Sequence, residues 1–160
     1  MDDERIQEFW ARARGRADVG FLEVLMGPDW GAAVAPPAWS FGDNPELADD
    51  LVARLLSGAK CATTGLKQAY DDEGEPVPKR GDLSIVLDGA GEPRALVRTT
   101  EVQIVPFSAV TESQAAAEGE GDGTLEAWRT AHRAFWERAG YTVGDDSPVV
   151  WERLALVYAG

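Results

Sequence analysis

Gly58-Ala59-Lys60-Cys61-Ala62-Thr63 sets an amine and a hydroxyl three residues apart, and Glu101 adds a carboxylate inside an apolar strand pattern further along the chain. Amine, hydroxyl and carboxylate make a reactive trio. A lysine where a chain leaves a helix is a point cation for a phosphate or a carbonyl or, when half buried, an amine able to act as a base. Thr63 and Thr64 are adjacent, so in a strand they point to opposite faces and one of them shares a face with a pocket; spacing alone does not choose between them. Strict alternation puts Glu101 with Thr99 and Gln103, opposite Thr100, Val102 and Ile104. The simplest reading of that face is solvent. If it lines a pocket instead, Glu101 and Lys60 form an ion pair that holds both in place.

The other polar residues read more plainly. His132 is the only histidine and shares a helical stripe with Trp128, Phe135 and Trp136, which reads as an imidazole satisfied by hydrogen bonds at the edge of a core. Cys61 has no nearby histidine in sequence and reads as a buried strand residue rather than a nucleophile. The six tryptophans are mostly core, with Trp30 and Trp39 on a Pro-rich stretch as candidates for stacking on a base. Glu118-Gly119-Glu120-Gly121-Asp122-Gly123 is glycine-rich but acidic, so phosphate is repelled and the stretch is no P-loop.

These groups need a scaffold, and 160 residues with 44% hydrophobic content suffice for one core, so a single domain is expected. No run approaches the roughly 18 apolar residues of a membrane span, and Met1-Asp2-Asp3-Glu4 lacks the features of a secretion signal. A cytoplasmic protein is expected. One cysteine and one histidine exclude an internal disulfide and leave no multi-cysteine zinc site, so neither metal nor cofactor is expected. The net charge of −13 argues against coating RNA through a broad basic face. Acids gather at Asp71, Asp72, Glu73 and Glu75 and again from Glu112 to Glu126, and such runs read as solvated loops. Lys60, Lys67, Lys79, Arg80, Arg98, Arg129 and Arg133 fall between them, which allows a cationic cleft on an acidic body.

Helical spacing of Ile6, Phe9, Trp10, Ala13 and Ala17 predicts an amphipathic N-terminal helix over 3–17, followed by an ordered Pro-rich loop over 27–44. Asn44-Pro45 opens a second helix that Gly58 ends, which puts Lys60 at the exit and lets 61–66 run on as a strand. Strands are predicted over 82–87 and 94–105 with a hairpin at Asp88-Gly91, and over 149–158 as the closing strand. Thr111-x-x-Gln114 is a capping-box pattern for a short helix, and Leu125 to Trp136 makes another that Gly140 can end. Strands divided by helices point to an α+β fold with a small mixed barrel.

Several of these segments recur in one order. Glu8-Phe9-Trp10, the Gly-x-Lys-x-x-Thr motif at 58–63, Pro76 to Asp82, Thr100-Glu101-Val102 with Val105-Pro106-Phe107, Glu118 to Asp122, and Trp128-Arg129-x-x-His132 together resemble the small bacterial stand-alone branch of the ASCH domain family. The resemblance spans most of the chain. It implies a PUA-like β-barrel flanked by helices, with the motif lining a pocket for an RNA segment or a modified nucleoside. Family members that hydrolyse N4-acylated cytidine use a lysine, a threonine and a glutamate, roles that the resemblance carries to Lys60, Thr63 and Glu101. On that reading the Thr63 hydroxyl attacks the acyl carbon, Lys60 takes the proton and Glu101 orients or protonates the leaving amine. Thr64, Lys67, Arg98, Arg129, His132 and Trp39 are the expected substrate-binding residues. Other members are ribonucleases, and there Lys60 with Arg98 or Arg129 would stabilise the phosphate while a 2′-hydroxyl attacks and His132 serves as base. A binding module without catalysis is the third alternative.

Overall fold

The computed structural model describes residues 2–17 and 34–160. Trp30 and the first part of the Pro-rich segment lie outside the described residues. Five strands hydrogen-bond in the order β1-β3-β4-β5-β2, and five α-helices accompany them among the described residues, so the fold is mixed α+β. The strands are β1 (Ala38–Ser40), β2 (Ala62–Leu66), β3 (Leu83–Leu87), β4 (Pro93–Pro106) and β5 (Pro148–Ala159). The helices are α1 (Asp2–Ala13), α2 (Pro45–Ser57), α3 (Lys67–Glu73), α4 (Glu112–Ala117) and α5 (Leu125–Arg138). The packing divides into two compact units, and β4 and β5 are long enough to run through both.

The first unit holds the N-terminal residues to Leu56, Leu83–Arg98 and Ala155–Gly160. Its helix α1 ends one turn earlier than its apolar spacing predicts. A 3-10 turn over Arg14–Arg16 carries the chain on to Ala17, and Gly15 within that turn is a poor α-helix residue. The predicted stripe is nonetheless buried: Phe9, Trp10, Ala13 and Ala17 pack with Ile85 and Leu96, and Phe9 meets Tyr158 edge-on at 5.5 Å. Part of the expected Pro-rich loop is a strand. β1 pairs in parallel with β3, Ala38 opposite Ile85, and β3 pairs antiparallel with β4 across the predicted turn. Asp88 organises that turn by accepting from the amides of Ala90 and Glu92 at 3.0 and 2.9 Å. Helix α2 starts where Asn44 Oδ1 accepts from the Leu47 amide at 2.9 Å, and it buries Ala48, Leu51, Val52 and Leu55.

The second unit comprises Ser57–Asp82 and Thr99–Leu154. Here β2 pairs antiparallel with β5, with Thr63 opposite Glu152 and Thr64 opposite Trp151. β5 is the last strand of the chain but an interior strand of the sheet, not its edge. α3 follows β2 with no intervening loop and takes in Asp71, Asp72 and Glu73, acids expected in a loop. The helix needs no separate apolar stripe, because Tyr70 lays its ring over Gly65 of the preceding strand. The capping box forms as predicted: Thr111 Oγ1 accepts from the Gln114 amide at 3.1 Å and Gln114 Oε1 accepts from the Thr111 amide at 3.0 Å. α5 starts under the Thr124 hydroxyl, and its Trp128 and Trp136 join Leu66, Phe107, Val110, Ala115, Val143 and Val149 in one core.

Replacing Asn44 by Ala removes the side-chain oxygen that caps α2 and is expected to lower stability by about 1 kcal/mol. Chemical denaturation of wild type and Asn44→Ala measures it directly.

Candidate functional site

The chain reaches Lys60 along a segment gripped from both sides. The Cys61 amide donates to Ala117 O at 2.8 Å, the Leu154 amide donates to Cys61 O at 2.8 Å, and Cys61 itself is only partly buried just before β2. Gly119 lies so near this segment that a Cβ on it would fall 1.9 Å from Ala59 O. The acidic Gly-rich stretch is therefore laid against the lysine segment rather than extended into solvent.

Lys60 is 1% exposed. Its ammonium has three donors, and three oxygens meet it: Ala62 O at 2.9 Å, Glu118 O at 3.4 Å and Glu120 Oε1 at 2.8 Å. The second carboxylate, Glu118 Oε2, is 3.7 Å away, and Glu118 is also 1% exposed. Glu118 collects every donor around it. Its Oε1 accepts from the Thr64 hydroxyl and from Trp128 Nε1, the latter at 2.9 Å, and its Oε2 meets His132 Nε2 at 3.0 Å. His132 Nδ1 faces Trp128 O at 2.9 Å while its ring stacks on Trp128 at 4.3 Å. A carbonyl and an ionised carboxylate only accept, so both ring nitrogens carry protons and the imidazole is a cation.

Burial pushes the Glu118 carboxyl up, but the charge and hydrogen bond of His132, the charge of Lys60 and the bond from Thr64 outweigh it and hold it below its ordinary value. Burial likewise pushes His132 down, and the charge and bond of Glu118, with Glu120 and Trp128 O, bring it above its ordinary value. The result is two cations and two carboxylates in a buried cluster, with Glu120, at 28% side-chain exposure, as its opening to water. Glu118, Glu120 and His132 also offer three ligand atoms within 4.8 Å of one another, a spacing that suits a metal ion. In this arrangement their charge is answered by the Lys60 ammonium.

The expected partner of this lysine lies elsewhere. Glu101 is on an exposed stretch of β4, accepting from Gln103 Nε2 at 2.6 Å and paired with Arg153 at 3.4 Å; its solvent-facing reading is the one its contacts match. Thr99, expected on that same solvent face, is instead buried and donates to Glu152 Oε2 at 2.8 Å. The two threonines divide as alternation requires. Thr64 turns to Glu118, whereas Thr63 shares the opposite face with its cross-strand partner Glu152. On Glu152 burial raises the carboxyl, Asp82 adds to the rise, and the Thr99 bond only partly offsets it. Nearby, Tyr70 is pushed up to about 12, first by burial and then by the charges of Glu152 and Glu73.

The other expected residues scatter. Lys67 pairs with Asp71 on α3 at 2.5 Å, Arg98 donates to Ala17 O, and Trp39 on β1 meets Phe41 edge-on at 4.8 Å. Arg129 Nη2 donates to Ser108 O at 2.9 Å. Glu118 and Glu120 are the site residues that the sequence reading left out. Their signal was the neighbouring stripe: an indole and an imidazole one helical turn apart bring buried donors that need an acceptor, and the Glu-Gly-Glu stretch just before α5 supplies one.

An α+β domain of PUA-like class built around a buried lysine motif has counterparts of known structure. Residues 37–158 match the model of the ASCH domain, and the chain belongs to that family, a group of RNA-binding-like domains. EF3133 from Enterococcus faecalis V583 is 32% identical over 89% of this chain and 88% of its own, with a TM-score of 0.72. The ASCH domain from Lactobacillus crispatus JV V101 is 27% identical over 90% of this chain and 95% of its own, also with a TM-score of 0.72. No curated protein matches. No described helix is long and apolar enough to cross a membrane.

The ionised pair sets a pH dependence. Glu118 is lowered from 4.5, so its contribution to stability is present above that value and lost as acid protonates it; His132 is raised from 6.5, so its contribution is present below that value and lost as pH rises through the folded-state pKa. Melting temperature is expected to be highest relative to His132→Gln between these two values and to converge on the variant's as pH climbs. Glu118→Gln, which leaves Lys60 and His132 facing a neutral amide, should cost roughly 3 kcal/mol or more. Gly119→Ala should cost more than about 2 kcal/mol because backbone blocks the new methyl, against about 1 kcal/mol for Gly121→Ala, where a left-handed residue faces open space.

Proposed function

We propose that this ASCH protein binds RNA or a modified nucleoside where Glu120 opens the Lys60 cluster to solvent, and that it hydrolyses the acyl amide of an N4-acylated cytidine there. The observation that carries the reading is the Lys60–Glu120 contact: a lysine 1% exposed, held at 2.8 Å by a carboxylate that is itself partly open. Burying an ammonium is expensive, and a protein that needed only stability would fill the position with an apolar side chain. A fixed cation beside an accessible carboxylate is the equipment for acyl transfer. The cation stabilises the oxygen that becomes negative as the acyl carbon is attacked, and the carboxylate handles protons.

In this scheme a water molecule adds to the acyl carbon and gives a proton to Glu120, because Thr63 lies on the face of β2 opposite the cluster and the Thr64 hydroxyl is held by Glu118. The carbon–nitrogen bond breaks, and Glu120 returns the proton to the departing N4 amine as the carboxylic acid is released. Glu120 takes the part that resemblance assigned to Glu101, because Glu101 is engaged by Arg153 and Gln103. The ribonuclease alternative uses the same lysine against a phosphate and predicts cleavage of single-stranded RNA that survives a chelator.

Purified protein should release acetate and cytidine from N4-acetylcytidine. Glu120→Gln should lower kcat by about a hundredfold or more, and Thr63→Ala should leave both turnover and the melting curve in place. Lys60→Ala should abolish turnover, with circular dichroism to check the fold. Full activity in Glu120→Gln with loss in Glu101→Gln would return the role to Glu101, and loss of acetate release in a folded Thr63→Ala variant would make that hydroxyl the nucleophile.

A further inference from the structure

A second polar feature of the same unit takes no part in the Lys60 cluster. Phe107, Ser108, Arg129, Arg133 and Asp145 line most of a surface cleft of about 580 Å³, within the range of ligand pockets. Arg129 and Arg133 are one turn apart on α5, so their side chains run side by side into it. Each is held by one contact and left short by another. Arg129 Nη2 donates to Ser108 O at 2.9 Å and Arg133 stacks its guanidinium over the Phe107 ring at 5.0 Å, yet the Nε of both is buried without a hydrogen-bond acceptor. Neither guanidinium is fully satisfied where it lies, and a side-chain rotation that brings Nε out to the cleft lets an oxyanion supply the missing acceptor. Phosphate oxygens fit the guanidinium fork in bidentate fashion, and Ser108 and Thr130 also line the cleft.

We infer that the Arg129–Arg133 cleft holds a backbone phosphate of a bound oligoribonucleotide. The choice of polynucleotide over another anion rests on the reading of the protein as RNA-binding; the cleft itself rests on the orphaned donors. The net charge of −13 removes long-range attraction, so affinity for RNA has to come from short-range donors of this kind. Glu137 adds a second carboxylate to the cleft wall, and Asp145 is the competitor in reach of Arg133. Its carboxylate sits 3.7 Å from Arg133 Nη2 with 82% of its side chain exposed, so it can swing away and surrender the guanidinium to a phosphate at little cost.

The test titrates short single-stranded oligoribonucleotides into the full chain, reading affinity by fluorescence anisotropy and the Arg Nε–H signals by nitrogen-15 NMR. The Nε–H resonances of Arg129 and Arg133 are expected to shift and saturate. Arg129→Gln and Arg133→Gln should each weaken binding at least fivefold and flatten the dependence of log affinity on log salt by about 0.7, with Arg133→Lys recovering the slope but not the full affinity. Asp145→Asn should tighten binding, a sign that a merely structural arginine would not produce. Unmoved Nε signals, wild-type affinity and slope in both glutamine variants, or an acidic peptide binding in place of RNA would each overturn the inference. N4-acetylcytidine carries no phosphate and reads the Lys60 site alone. Loss of acetate release with the arginine shifts intact therefore counts against the hydrolase, and the reverse result counts against the cleft.

Discussion

The second unit depends on a carboxylate buried away from solvent. Glu118 is 1% exposed and ionised, and every group that touches it is a donor: a hydroxyl, an indole, an imidazolium and an ammonium. They come from three parts of the chain: the hydroxyl from β2, the indole and the imidazolium from α5, and the ammonium from the segment before β2. An uncompensated charge at that depth would cost several kcal/mol, so the fold is held to the one arrangement in which all four donors arrive together. This is a constraint of specificity more than of stability. Apolar residues of equal volume would pack the same space without demanding it.

That constraint accounts for the local backbone. Gly119 sits against Ala59 O because only a residue without a Cβ lets the Glu118–Glu120 turn close over the lysine. The bond from Cys61 N to Ala117 O fixes the lysine segment to the end of α4, whose start is set by the capping box. The stripe of α5 is then read in two directions. Trp128 and Trp136 pack into the core, while Trp128 Nε1 and His132 turn toward the carboxylate. One helix face thus serves packing and charge at once, as an indole permits by being apolar except for a single N–H.

Legibility in the sequence followed the range of the interaction. Local signals were plain: Asn44-Pro45, the capping box, the Asp88 hairpin and the alternation of β3 to β5 each act within a few residues, and each appears where its pattern lies. The parallel pairing of β1 with β3 was hidden, since three residues in a Pro-rich stretch carry no period and the partner is 47 positions away. The carboxylate partner of Lys60 was hidden for the same reason. A run of acids separated by glycines carries a solvent signature by itself; the cue that one of them is buried lies outside the run, in the donors of Trp128 and His132, 10 and 14 residues further on. Glu101 looked better placed because its neighbours were apolar, but in β4 those neighbours include Ile104 at 49% exposure, and the strand end is bare.

The division between Thr63 and Thr64 follows from the pleat alone. Successive residues of β2 face opposite ways, so a strand that must give one hydroxyl to the buried Glu118 has the next free for the other face, where Glu152 and Thr99 form a second polar pair. A one-residue slip of β2 along β5 would exchange the two threonines and leave Glu118 a donor short. The buried charge therefore enforces the register, and the register decides which hydroxyl meets the cluster.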